Sequence, residues 1–184
     1  IRRDTYDPAI ALLNSKRIHA IMQGGPLPDH CKIYFPAGIY FFDGALEGQA
    51  ATIQSSAMFQ TFAGDGPNAT QIRQANKQVE ATFRIGHTGG TIRDLSISSI
   101  DYSDTYQSEW DENPLQAAIH MVAPDKWLMD PQVINVNINS TGNHFAVEGY
   151  YRPFERAMRF DGPWLNIYVH SMFIQHVHNA IYIN

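Results

Sequence analysis

KIYFPAGIYFF, residues 32–42, reads as two short strands joined by a tight corner. Ile33 and Phe35 alternate with Lys32 and Tyr34, and Ile39 and Phe41 alternate with Tyr40 and Phe42. A period of two marks a half-buried strand. Pro36-Ala37-Gly38 between the two runs marks a turn rather than a continued strand. Both runs are rich in β-branched and aromatic side chains, which suit a pleated surface.

Upstream of this stretch lies the one good helix signal. Asp7 is placed to cap free N–H groups and Pro8 suits the first helical position, so a helix is expected over Pro8–Met22. Ile10, Leu13, Ile18 and Ile21 are expected on its buried face. Lys16, Arg17 and His19 place positive charge toward its C-terminal half, and Gly24-Gly25-Pro26 ends it. Downstream, short strands are broken by turns: Thr52-Ile53-Gln54, then Phe59 to Phe62, then the turn Gly64-Asp65-Gly66-Pro67-Asn68, then Thr70 to Arg73. The glycines of that turn carry neither a Walker lysine nor a G-x-G-x-x-G before a helix, so a phosphate cradle is not indicated.

A capping helix, a strand, Pro-Ala-Gly, a second strand and then a glycine-rich turn before a Thr-x-Ile strand resembles the start of pectin-lyase-like right-handed parallel β-helices. Viral and phage tailspikes are frequent members. The resemblance covers residues 4–98 by motif. It implies an all-β solenoid whose N-terminal helix plugs one end, as repeat proteins require. It also implies a secreted or virion-tail location, a homotrimer and a cell-surface or extracellular polysaccharide as partner. A β-sandwich or another all-β array is the competing fold, disfavoured because the inward pairs recur in one direction without clear hairpin turns.

Beyond Phe83 the fold rests on periodicity. Ile119/Met121, Met158/Phe160 and Ile181/Ile183 form one series of inward pairs, and Leu95/Ile97, Val136/Ile138 and Ile167/Val169 a second. From the second series to the next first-series pair the gaps are 22, 20 and 12 residues. Two successive coils therefore carry insertions at one point of the turn, Ile100 to Gln116 and Ser140 to Arg156, in a single domain over 1–184. Asn135, Asn137 and Asn139 read as a stacked amide ladder.

The insertions are where chemistry is expected, because loops on a rigid scaffold carry binding groups. Aromatic rings stack on the apolar faces of sugars while carboxylates and arginines bind hydroxyls. Trp110, Tyr150, Tyr151 and Arg152 are the candidate substrate-binding residues. Glycoside hydrolysis needs two carboxyl groups about 5–9.5 Å apart. Glu148 or Glu155 from one insertion is expected to meet Asp111 or Glu109 from the other. Lyase chemistry would draw instead on His144, Tyr150, Tyr151 and Arg152. Neither the clustered calcium-binding aspartates of pectate lyases nor the paired-aspartate motif of polygalacturonases is present, so no catalytic residue carries over by motif. The alternative function is a non-catalytic structural or receptor-binding virion appendage, with the insertions as subunit contacts.

Other signals exclude more than they suggest. The 184 residues carry a net charge of −5, with 44% hydrophobic and 17% charged side chains. This is a folded chain without the basic footprint of nucleic-acid or anionic-membrane binding, and it does not favour a highly anionic polymer. No apolar run reaches the roughly 18 residues of a membrane span. Cys31, the single cysteine, excludes an intrachain disulfide and reads as a small apolar filler. His176 and His178 share a strand face, but no acid or cysteine nearby completes a metal site, and neither metal nor cofactor is expected. Asn68-Ala69-Thr70 and Asn139-Ser140-Thr141 match the glycosylation pattern, which is frequent by chance. The start at Ile1 and the strand-like close, Ala180 to Asn184, lead to the expectation of a piece of a longer protein.

Overall fold

The computed structural model describes residues 7–44, 46–74, 80–101, 117–123, 127–139, 150–151, 154, 156–175, 177 and 179–184. The fold is mostly β with a single helix among the described residues. Helix α1 spans Pro8–Gln23. The strands of the first half are β1 (Lys32–Tyr34), β2 (Gly38–Phe42), β3 (Ala51–Gln54), β4 (Thr61–Ala63), β5 (Thr70–Gln74), β6 (Ala81–Ile85) and β7 (Thr91–Asp101). Those of the second half begin with β8 (Ala117–Val122), β9 (Leu128–Met129), β10 (Gln132–Asn139), β11 (Tyr150–Tyr151) and β12 (Arg156–Asp161). They end with β13 (Trp164–Leu165), β14 (Tyr168–His170), β15 (Phe173–Gln175) and β16 (Asn179–Ile183).

Sequence neighbours do not pair; strands one circuit apart do. A first parallel ladder runs β1-β4-β7-β10-β14. A second runs from β2 to β5 to the later half of β7, then to the later half of β10 and β15. The third is β3-β6-β8-β12-β16. Parallel pairing requires a long crossover between partners, and here the strands of the other two ladders supply it. The chain returns to the first ladder at Ile33, Phe62, Ile92, Val133 and Val169. The one antiparallel contact among the described residues sets Tyr150 and Tyr151 of β11 opposite Asp101 and Ile100 at the end of β7.

Three columns of apolar side chains, one residue per rung, run through the core. The first column is that just named. Tyr40, Ile72, Ile97, Ile138 and Ile174 make the second. Ile53, Phe83, Ile119, Met158 and Ile181 make the third. Most of these side chains are fully buried in one continuous cluster. Each fully buried residue of this size contributes about 1.5–3 kcal/mol of transfer free energy.

The register matches the expected series Ile119/Met121, Met158/Phe160 and Ile181/Ile183. It also pairs Leu95 with Val136 and Ile97 with Ile138. It corrects the third member of the second series. Val169 pairs with Val133 in the first ladder, and Ile174 takes the place beside Ile138. The last passage into the third ladder, from Ile174 to Ile181, is therefore 7 residues and not 12. The same passages after Ile97 and Ile138 are 22 and 20.

Corners between ladders are built by single left-handed residues in register. His30, Phe59, Gly89, Asp130 and Asn166 all have φ between 54° and 70°. Each lies two residues before its strand on the first ladder. The N–H of each of the first four donates to a carbonyl one rung on: His30 to Met58, Phe59 to Thr88, Gly89 to Met129 and Asp130 to Leu165. The ladder thus passes through the bend without an orphaned donor. A second left-handed corner recurs at Asp94, Asn135 and Ser171. There the Asn135 side-chain amide donates to the Asp94 carboxylate at 2.8 Å, a direct tie between rungs.

Asp7 caps α1, its carboxylate accepting from the N–H groups of Ala9 and Ile10. The buried face keeps Ile18 of the four expected residues and otherwise differs. Ala11, Asn14, Ser15, Ile18 and Met22 are buried, whereas Leu13 and Ile21 are exposed and Ile10 is half-buried. The reason is what the helix covers. It packs on β2 and β3, where β2 has no strand on its outer side among the described residues. The Asn14 amide donates to the Phe41 carbonyl at 2.9 Å, and the Ser15 hydroxyl accepts from the N–H groups of Asp43 and Gly44. Phe41 and Ile39 pack on Ala11, while Tyr40 and Phe42 enter the main core.

Candidate functional site

Outward from the second column, the second ladder presents polar side chains where it presents isoleucines inward. Gln71, Ser96, Asn137 and Phe173 are in register across β5, β7, β10 and β15. Two residues further along each strand come Arg73 beside Ser98, and Asn139 beside Gln175. These residues, with Pro67 and Asn68 from the turn before β5, line a groove of about 320 Å³; Gln175 alone stands outside its lining. A volume near the lower end of ligand pockets suits a short stretch of a larger molecule.

The chemistry of this groove is neutral and two-sided. Asn and Gln amides each donate and accept, as do serine hydroxyls. Phe173 is half exposed, at 52%, at one end. Arg73, the one cation of the lining, is buried, and its Nη2 donates to the Gln71 Oε1 at 2.7 Å. Its guanidinium lies 5.8 Å from the centre of the Phe41 ring. No carboxylate lines the groove among the described residues.

A second polar cluster lies on the third ladder, where Arg84, His120, Arg159 and Tyr182 are in register. His120 is 2% exposed. Its Nε2 stands 2.8 Å from Asp161 and its Nδ1 3.1 Å from Glu80. Arg159 bridges the same two acids, at 2.5 Å to Asp161 and 3.7 Å to Glu80. Burial pushes the His120 pKa down, outweighing the pull of Asp161 and Glu80 in the other direction. Burial pushes Asp161 up, but bonds from Arg159 and His120 hold it below the usual carboxylate range. This cluster joins β8 and β12 to Glu80, which directly precedes β6. Its depth makes it a structural tie rather than a site for a polymer.

The expected site residues lie almost wholly outside the described residues: Glu109, Trp110, Asp111, His144, Glu148, Arg152 and Glu155, as well as His176 and His178. Tyr150 and Tyr151 are placed by their backbone alone, against the end of β7. The strands that carry Ser96, Ser98, Asn137 and Asn139 are the two that lead into residues 102–116 and 140–149. Cys31 is half-buried and accepts from the Gln60 amide at 3.1 Å.

Sequence reading missed the groove residues Gln71, Arg73, Ser96, Ser98 and Phe173, and it read Asn137 and Asn139 as an internal ladder. Asn135, the first of that run, makes a bond between rungs, to Asp94, and Asn137 and Asn139 line the groove. The signal was available. Polar pairs two apart flank Ile72, Ile97 and Ile138 on three successive strands. Comparison of the chain with family models, curated proteins and solved structures finds no match.

Proposed function

We propose that the chain folds as a right-handed parallel β-helix of the pectin-lyase-like, tailspike type and binds a cell-surface or extracellular polysaccharide in the groove of the second ladder. The observation that carries this reading is the groove itself. It repeats an amide or hydroxyl on successive rungs about 4.8 Å apart, beside an exposed aromatic ring. A polymer of hydroxyl-bearing rings laid across the strands meets the same donors and acceptors at each step. The three parallel ladders in register support the solenoid, and the resemblance supports a homotrimer on a virion tail or in the extracellular space.

Cleavage of the bound polymer is assigned to the insertions that leave the groove strands, with Glu148 or Glu155 opposite Asp111 or Glu109. The second reading, a non-catalytic receptor-binding appendage, is favoured by one observation: the described groove has polar contacts but no carboxylate.

Incubation with a panel of bacterial surface polysaccharides separates the two. New reducing ends with ultraviolet absorbance of unsaturated uronates indicate a lyase, and reducing ends alone a hydrolase. Glu148→Gln and Asp111→Asn should then lower the rate about 10²-fold or more while binding is kept. Binding without cleavage leaves the receptor-binding reading. A protein that binds no polysaccharide overturns both.

A further inference from the structure

Resting on the groove as a glycan site, we infer that its ligand is an uncharged polysaccharide, with or without N-acetyl groups, rather than a uronate or other polyanion. Three observations converge on this class. Among the described residues, the polar side chains of the lining are neutral amides and hydroxyls around one cation. That cation is committed within the protein: Arg73 is 7% exposed, bonded to Gln71 and packed on the Phe41 ring. It orients the Gln71 amide rather than presenting a guanidinium fork to a ligand. The chain as a whole carries a net charge of −5, which repels a polyanion at long range.

A polyuronate would bring a carboxylate to nearly every rung, and each would lose water without gaining a cation. A neutral sugar loses hydroxyl hydration and regains it from groups that both donate and accept. An acetamido substituent is matched best of all, since Asn137 and Gln71 present its own chemistry. Phe173, at the edge of the lining, offers a stacking face for the apolar side of one ring.

The test is a matched pair: a uronate polymer and the same polymer after carboxyl reduction, with an N-acetylglucosamine oligosaccharide as a third probe. Binding is measured by calorimetry at about 0.01 M and 1 M salt, where the Debye length falls from about 30 to 3 Å. The expected result is binding of the reduced polymer or the N-acetylated probe, with affinity unchanged between the two salts. Asn137→Ala and, independently, Phe173→Ala should each weaken it about three- to tenfold with an unchanged melting profile. Preference for the native uronate polymer, with affinity falling steeply as salt rises, overturns the inference and leaves the groove as a glycan site. Neutral binding untouched by either substitution overturns the groove assignment. Absence of binding to all three probes and to the polysaccharide panel overturns the inference together with the proposed function.

Discussion

A left-handed backbone costs an L-residue about 1–2 kcal/mol, and the corner before the first ladder uses that conformation five times. Asp130 and Asn166 tolerate it through their short polar side chains, and Gly89 without penalty. Phe59 is the exception, and its neighbours explain it. Its ring stacks on His30 with centres 4.6 Å apart and lies against Gly89, where a Cβ would come within 2.1 Å of the ring. Gly89 is thus required twice, for φ and for space. Gly89→Ala should destabilise the protein by about 2 kcal/mol or more. Removing the ring in Phe59→Ala/Gly89→Ala should recover the steric part and leave the backbone part. A double-mutant cycle in urea checks this, and strict additivity would show that the ring does not set the glycine. The residues of these corners were visible in the sequence as Gly, Asp and Asn before strands. Their common register was not, because it depends on partners 28 or more residues away.

Between elements, two polar ties act on rungs that the apolar columns alone would leave free to slip. At the helix end, Asn14 satisfies the Phe41 carbonyl on the open side of β2. Asn14→Ala should cost about 1–3 kcal/mol, since the carbonyl stays buried without a donor; a drop in the urea midpoint measures it. The extent of this helix was legible from Asp7, Pro8 and Gly24. Its buried face was not, because an edge strand needs hydrogen-bonding and small residues where apolarity predicts leucines. On the third ladder, burial holds His120 below the ordinary histidine value, as it does His87, two residues past the end of β6. Such groups take up protons more readily when unfolded. Stability should therefore fall as pH drops below about 6.5, through the folded pKa values, and fall again below about 4 as Asp161 and Asp94 are protonated. Urea midpoints between pH 8 and 5 test the first step, and His120→Gln should flatten it. A midpoint that rises on acidification would contradict the buried neutral imidazole. The groove was hidden because its polar residues look like ordinary solvent-facing alternates.

On the scale of the molecule, the described strands pair with the strands beside them in each ladder, so the end strands are covered on one side and stability is distributed unevenly along the ladders. Ile119 lies in mid-column between Phe83 and Met158 and is fully buried. Ile181 occupies the same column one rung past Met158 but is 50% exposed. The two side chains are chemically identical and differ only in how many rungs cover them. Ile119→Ala should then cost about 2–5 kcal/mol, the range for an aliphatic side chain removed from a packed core. Ile181→Ala should cost well under half of that, because much of its surface is already in water. Equilibrium urea unfolding of both variants gives the comparison directly. Equal losses would mean that Ile181 is covered as fully as Ile119 in solution, by a further strand layer or a second copy of the chain. Sedimentation of the same samples distinguishes the two, since only a second copy makes the loss depend on protein concentration.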